Sequence, residues 1–378
     1  MRTLDDLDVE EKRVLVRVDF NVPLDEDRNI TDDARIRAAL PTLRELREKG
    51  ARLLLAAHLG RPKDREPELS LKPAAERLSH LLGEDVQLAS SLDDVPDGDV
   101  VMLENVRYEE GETKNDPQLA QRYADLADVY VNDAFGAAHR AHASTEAVAR
   151  LLPSAAGRLL EAEVKTLNAI LEDPERPLVA VVGGAKVTDK IGVLDAFLHR
   201  ADTILIGGAM CFPFLKAQGH EVGDSLCEEE GVEPARRVLM AAGEGQVQLP
   251  DDLVAGREFK ADTETKAIEG VDVPGGWMGL DIGPETAERY ADEIANAGTV
   301  FWNGPMGAFE LEPFASGTQR VAVAIAAAPG VTVVGGGDSA AALAQFGYAD
   351  DVDHLSTGGG ASLELIEGKP LPGVEVLS

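Results

Sequence analysis

Short apolar runs alternate with longer amphipathic stretches along the whole 378-residue chain. The runs RVLVRVDF (13–20), RLLLAA (52–57), VVML (Val100–Leu103) and VYVN (Val129–Asn132) are too short for buried helices and are bounded by turn residues, so strands are predicted there. Between them, amphipathic patterning predicts a helix capped by Asp32 or Asp33 that runs to Glu48 with Arg35 in its first turn, and further helices over 70–82 and 116–126. The alternation resumes with strands at 179–182, Thr203–Ile206, 298–302 and 331–334 and a last helix over 361–367. Repeated strand–helix alternation predicts an α/β fold with doubly wound, Rossmann-like parallel sheets.

Punctuation divides this pattern in two. Proline and glycine break the chain at 153–157, an amphipathic stretch fills 157–172, and Pro174 and Pro177 close it. The expected organisation is a first domain over 1–156, a connector helix over 157–172 and a second domain over 173–369. The apolar, proline-bearing segment 370–378 is expected to return toward the first domain.

Each distinctive loop follows a strand, and in open parallel sheets ligands bind beyond the carboxyl ends of the strands. In the first half these loops carry Arg35, Arg61, Arg107 and Arg140, whose guanidinium forks suit phosphate or carboxylate. A single surface arginine more often pairs with a local acid; four at equivalent strand ends favour a shared anion. In the second half the strand at 179–182 runs into Gly183-Gly184 and then into a predicted helix that puts Lys186 and Lys190 on one face. A strand, a glycine turn and a helix N-terminus form an anion site, and two lysines there suggest a polyphosphate. A tight turn with solvent-facing lysines is the plain alternative.

Further glycine clusters, at Gly207-Gly208, Gly335–Gly337 and Gly358–Gly360, suggest that bare backbone approaches something closely. Asp338 is placed to hold Mg²⁺ beside phosphate donors, or else to cap the following helix; Glu310 is placed to accept from a ribose hydroxyl, or to serve a turn. His58, His139, His142 and His354 lack metal spacing.

Composition narrows the function class. The formal net charge of −32 argues against nucleic-acid binding, and its even spread suits a salt-rich cytoplasm. It also requires that any cations receiving an anionic ligand be locally concentrated. Two cysteines, Cys211 and Cys227, form no disulfide or metal framework, and no apolar run reaches membrane-spanning length, so a cytoplasmic location is expected. No GxxxxGK[ST] loop, kinase HRD or DFG set, or GxGxxG fingerprint is present.

Nine blocks together resemble the phosphoglycerate kinase family from end to end. RVDFNVP (17–23), HLGRP (58–62), ENVRY (104–108) and VNDAFGAAHRAHAS (131–144) resemble its substrate half. GGAKVTDK (183–190), GWMGLDIGPET (276–286), WNGPMGAFE (302–310), GGGDSA (335–340) and STGGGASLELIEGK (356–369) resemble its nucleotide half. The resemblance implies reversible phosphoryl transfer between 1,3-bisphosphoglycerate and ADP·Mg²⁺, giving 3-phosphoglycerate and ATP, with the two domains closing about a hinge. It implies that Asp19, Phe20 and Asn21 touch the glycerate, and that Arg35, His58, Leu59, Gly60, Arg61, Arg107 and Arg140 form its basic patch.

On the nucleotide side it implies Lys186 on the migrating group, with Arg35 flanking it, and Lys190 on the nucleotide phosphates. Gly183, Gly184, Gly207, Gly208, Leu280 and Ala308 would form the adenine slot, and Asn303 and Glu310 nucleoside contacts. Gly336, Gly337, Asp338 and Ser339 would form the phosphate and metal loop. Gly358, Gly359 and Gly360 would add a helix N-terminus for the developing charge. Ala57, Met306 and Ser339 depart from the commonest pattern without removing a charge. The family also leads to the expectation of a monomer, while the charge and the lack of a membrane-length run lead to the expectation of no nucleic-acid or membrane partner. The rival readings are a non-catalytic nucleotide-binding or scaffold protein on the same fold, and a small-molecule kinase acting on a different acid.

Overall fold

The computed structural model describes all residues, Met1–Ser378, and resolves two compact units: 1–165 together with 369–378, and 166–368. The first unit is built on a six-stranded parallel sheet. In chain order its strands are β1 (Arg13–Arg17), β2 (Arg52–Ala56), β3 (Gln87–Ala89), β4 (Val100–Leu103), β5 (Val129–Asn132) and β6 (Ser154–Ala156). They lie in the order β3-β4-β2-β1-β5-β6, so the chain winds outward in both directions from β1 and β2. Helices α1 (Ala34–Glu48), α2 (Lys72–Leu82) and α3 (Pro117–Ala124) are the longer α-helical elements between the strands. The apolar faces of α1 and α2 (Ile36, Leu40, Leu43, Leu46, Leu78) bury against Val14, Val16, Leu53 and Leu55, which is what makes the amphipathic pattern stable as helix.

The last ten residues belong to this unit. Arg2 N donates to Leu377 O (2.7 Å), and Gly373 N donates to Ala138 O (2.9 Å). A short helix, Pro372–Glu375, lies here, beyond the last predicted one. The long helix α4 (Arg158–Glu172) carries the division between units inside it, between Lys165 and Thr166. Asp133, just past β5, receives the backbone N–H of Leu159 (3.0 Å) and Leu160 (3.3 Å) and so caps α4.

The second unit contains another six-stranded parallel sheet and a three-stranded antiparallel one. The strands are β7 (Leu178–Val182), β8 (Thr203–Ile206), β9 (Val247–Gln248), β10 (Leu253–Gly256), β11 (Thr265–Ile268), β12 (Met278–Ile282), β13 (Thr299–Asn303), β14 (Val331–Gly335) and β15 (His354–Leu355). The parallel order is β15-β14-β13-β7-β8-β9, and the antiparallel order is β11-β10-β12. The helices are α5 (Ile191–Leu198), α6 (Cys211–Ala217), α7 (Val232–Ala241), α8 (Pro284–Ala295), α9 (Ser316–Ala326), α10 (Gly337–Phe346) and α11 (Gly359–Ile366). Two parallel α/β sheets are therefore present, as the alternation predicts. No helix is long and apolar enough to cross a membrane.

The antiparallel sheet is an addition that the sequence pattern does not announce. Its strand β11, TKAI, has three exposed positions and reads as polar loop. Segment 185–190 also departs from expectation: it is a series of turns, and helix α5 begins only at Ile191. Lys186 and Lys190 therefore do not share a helix face. The competing interaction is Glu228, whose carboxylate takes both the backbone N–H and the hydroxyl of Thr188 (3.1 and 2.9 Å) and holds the segment out of helix.

Candidate functional site

At the carboxyl edge of the first sheet, β1 ends at Arg17, which is 1% exposed. Its Nε donates to Ser144 Oγ (2.9 Å), its Nη1 to Val18 O (2.5 Å), and its Nη2 meets His58 Nδ1 (3.1 Å). His58 follows β2 and is itself buried. The loop after β1 supplies Asp19, Phe20 and Asn21. Asp19 and Phe20 are buried, Asp19 Oδ2 accepts from Arg35 Nη1 (2.6 Å), and Asn21 Oδ1 accepts from Gly60 N (2.8 Å). After β4, Asn105 Nδ2 donates to Leu59 O (2.7 Å) and Arg107 Nη1 donates to Gly60 O (2.5 Å). The loops after three strands are thus fastened to one another around residues 58–60.

The cations here are mutually close. Burial and the neighbouring Arg17, Arg107, Arg35 and His142 hold His58 well below the usual imidazole range. Burial, Arg17, Arg107, Arg140 and His139 push His142 down to about 4. The Arg107 guanidinium is also lowered, by burial and then by Arg17 and Arg140, with Arg61 contributing. Most surface arginines elsewhere in the chain pair with an acid, but Arg61, Arg107 and Arg140 have none; Arg35 has Asp19. Arg107 Nε is buried without a hydrogen-bond partner, which a native site tolerates when a ligand supplies the acceptor. On a protein of net charge −32, three arginines without a salt-bridged acid, Arg107 half-buried and Arg61 and Arg140 exposed, make a local concentration of positive charge that suits an anion.

The second sheet presents glycine at its carboxyl edge, but the closest approaches there are between the loops themselves. Gly183 N donates to Asn303 O (3.0 Å), Gly184 N to Pro305 O (3.0 Å) and Gly208 N to Met306 O (2.8 Å). A Cβ on Gly183 would lie 2.2 Å from Pro305 O, and one on Gly207 2.5 Å from Met306 Sδ. These glycines thus let strand-end loops touch; what crowds them is the chain's own backbone and Met306. Leu280, in β12, accepts from Ala308 N (2.8 Å), which ties the antiparallel sheet to the same loops.

A second group sits where β13, β14, α10 and α11 meet. Asn303 is buried; its Nδ2 donates to Gly335 O (2.8 Å) and its Oδ1 accepts from Lys190 Nζ. Ser339 is buried and its Oγ accepts from Gly304 N (2.7 Å). Gly336 has φ of 95° and is the N-cap of α10; Asp338 lies in the first turn and is not the cap. Gly337 has open space where a Cβ would project, and a Cβ on Gly359 would lie 3.7 Å from Gly336 Cα. The N-termini of α10 and α11, the latter beginning Gly359-Gly360 after Gly358, therefore open side by side. Burial lowers Lys190 to about 8, with Asp338 and Asp189 pulling the other way. Lys186 and Glu310 are exposed, and neither forms a salt bridge.

No group of three or more His, Cys, Asp or Glu side chains could hold a metal by itself. Asp338 offers one carboxylate beside two helix N-termini, the donor set that suits an ion completing its shell with phosphate and water oxygens.

Two residues of this edge carry no signal of their own in the sequence. Arg17 reads as one more member of a strand, and Glu112 as part of a polar turn, EEGETKND; only burial distinguishes them, at 1% exposure each.

Fold and edges define an α/β protein with cationic and glycine-lined strand ends, the class that handles phosphorylated small molecules. The phosphoglycerate kinase family profile matches residues 4–369. Phosphoglycerate kinase of Thermosipho africanus is 53% identical, over 98% of this chain and 96% of that protein; that of Moorella thermoacetica is 54% identical, over 100% and 98%. The solved structure of phosphoglycerate kinase from Coxiella burnetii superposes with a TM-score of 0.91 at 42% identity, covering 99% of this chain and 98% of that one. The chain belongs to the phosphoglycerate kinase family and is a glycolytic kinase.

Proposed function

We propose that this kinase binds the glycerate substrates at the arginine cluster of the first unit and ADP or ATP at the glycine edge of the second, and moves a phosphoryl group between the acyl phosphate and ADP. The observation that carries the reading is the set Arg61, Arg107 and Arg140, cations without an acid partner in a strongly acidic chain. Phosphoryl transfer needs positioning and charge neutralisation rather than a side-chain nucleophile, and that is what these edges offer.

In this reading Arg61, Arg107, Arg140 and His58 bind the phosphate end of 3-phosphoglycerate, with Asp19, Phe20, Asn21, Leu59 and Gly60 shaping its bed. Arg35 and Lys186 flank the migrating group. Lys190 and the α10 N-terminus, with Gly336, Gly337 and Ser339, receive the nucleotide phosphates, and the Gly358–Gly360 turn adds backbone donors. Gly183, Gly184, Gly207, Gly208, Leu280 and Ala308 wall the base, with Asn303 and Glu310 on the nucleoside side. Asp338 would hold Mg²⁺, which when bound would neutralise phosphate charge.

A coupled assay tests this: 3-phosphoglycerate with ATP·Mg²⁺, acyl phosphate consumption followed through a dehydrogenase, from low to molar KCl. Turnover requiring both substrates is expected. ATP binding without turnover at any salt would place the chain with the non-catalytic rival. The spread of acidic charge leads us to expect that turnover rises with salt; a flat or falling salt profile removes that inference and keeps the kinase.

A further inference from the structure

One buried acid stands behind the cations of the first unit. Glu112, on the turn Glu112–Lys114, is 1% exposed. The Ser144 hydroxyl donates to its Oε1 at 2.5 Å, and Ser144 N donates to its Oε2 at 3.2 Å. Ser144 Oγ in turn accepts from Arg17 Nε at 2.9 Å. A guanidinium only donates and an ionised carboxylate only accepts, so with Glu112 ionised the single hydroxyl hydrogen of Ser144 is committed to it; burial raises the Glu112 carboxyl, while Arg17, Ser144 and Arg107 favour the charged form.

The far end of Arg17 settles the state of His58 by the same argument. Arg17 Nη2 lies 3.1 Å from His58 Nδ1. Because Arg17 can only donate, Nδ1 must accept, and a neutral imidazole that accepts at Nδ1 carries its hydrogen on Nε2. Every link from carboxylate to imidazole therefore has one allowed direction. A neutral donor suits this place: it adds a hydrogen bond for an anion without adding a charge that Arg17, Arg35 and Arg107 would repel.

The segment holding the acid is itself clamped. Asn115 Nδ2 donates to Glu146 Oε2 (2.6 Å) and its Oδ1 accepts from Ala147 N (3.2 Å). Ser144 lies in a π-helical turn, Ala143–Ala147, a form frequent at functional sites. The segments carrying Glu112 and Ser144, the first two members of the chain, are thus tied to each other.

We propose that Glu112 is a positioning residue for the glycerate site: through Ser144 and Arg17 it fixes His58 as the tautomer whose Nε2–H faces the bound anion. This rests on the arginine cluster being the glycerate's site.

The test uses the full chain labelled with ¹⁵N-histidine, His58 being assigned with His58→Gln. Ser144→Ala cuts the link and leaves every charge in place; Glu112→Gln keeps the shape and removes the charge. In the substrate-free parent, His58 Nδ1 should resonate as an acceptor nitrogen and Nε2 as a protonated one. In Ser144→Ala the Arg17 Nε loses its acceptor, so Nη2 is no longer held against His58 Nδ1; the two tautomers should mix, and KM for 3-phosphoglycerate should rise about tenfold, the scale on which supporting partners act, with KM for ATP unchanged. Glu112→Gln should raise the same KM.

A folded Ser144→Ala, checked by its melting temperature, that keeps the single tautomer overturns the proposal. So does one that loses the tautomer with KM unchanged. Arg61→Ala separates the underlying assignment: if it leaves KM for 3-phosphoglycerate unchanged, the cluster is not the glycerate's site and the role of Glu112 falls with it, whatever the tautomer.

Discussion

Arg35 Nη1 lies 2.6 Å from Asp19 Oδ2, so of the four arginines at the first sheet's carboxyl edge only Arg35 is met by an acid of its own chain. Asp19 is 6% exposed and Arg35 36%, so the pair has one end fixed in protein and one facing out. That arrangement aims a guanidinium rather than merely neutralising it. Arg35→Ala is expected to lower kcat by about 100-fold or more, the scale of removing one donor to developing charge. KM for either substrate should change little; a KM effect alone would make Arg35 a binding residue only.

Lys186 is exposed and in no salt bridge, which suits the proposed role of following the migrating phosphoryl group. Lys186→Ala should lower kcat by about two orders of magnitude or more with a modest change in KM. Near-normal turnover would remove this lysine from the mechanism.

Arg61 is exposed and unpaired by acid, so its loss should act on binding. Arg61→Ala is expected to raise KM for 3-phosphoglycerate about 10- to 100-fold, corresponding to a charged hydrogen bond of about 1.5–3 kcal/mol. Steady-state kinetics with each substrate varied in turn checks this, and KM for ATP should not move.

Gly183 and Gly337 should behave in opposite ways. A Cβ at Gly183 meets Pro305 O at 2.2 Å, whereas one at Gly337 meets nothing within 4 Å. Gly183→Ala is therefore expected to lower the melting temperature by several degrees, through a backbone clash worth about 1–3 kcal/mol. Gly337→Ala should leave the melting temperature alone and raise KM for ATP, because the only thing its methyl can strike is a ligand at the α10 N-terminus.

Two groups give pH tests of opposite character. Lys190, lowered to about 8 by burial, is charged below that value and neutral above it, so nucleotide affinity should fall between pH 7 and 9, as read by calorimetry, and Lys190→Arg should remove the fall. Glu45 is lowered to about 2 by the Arg158 hydrogen bond first, with Lys49 helping. Its folded value lies below its unfolded one, so the stabilisation is present above the ordinary carboxylate range and is lost as pH falls from about 4.5 toward 2. Arg158→Ala should thus lower the melting temperature more at pH 7 than at pH 3.

Legibility in the sequence followed physics. Strands such as Val100–Leu103 and Val129–Asn132 are continuous apolar runs, and burial on both faces leaves them no other form. The arginines were visible because they interrupt a chain rich in acids. Three features were hidden. Strand β11 gains its order from pairing with β10 rather than from its own polar side chains. The turns before α5 depend on Glu228, forty residues from Thr188. Arg17 and Glu112 owe their importance to burial, which a residue's type does not announce.

The pairing of Arg2 with Leu377 has a consequence for how the molecule is made. The first unit begins the chain and also ends it, whereas 166–368 is one uninterrupted stretch. On the ribosome, the later-coded unit is therefore complete in sequence before the earlier one. Asn132 Nδ2 donates to Gly373 O (3.1 Å), a bond that brackets the loop leading to Arg140. That bond cannot form until residue 373 leaves the exit tunnel, so the nascent chain completes this arginine-bearing edge only after the whole of 166–368 has been made.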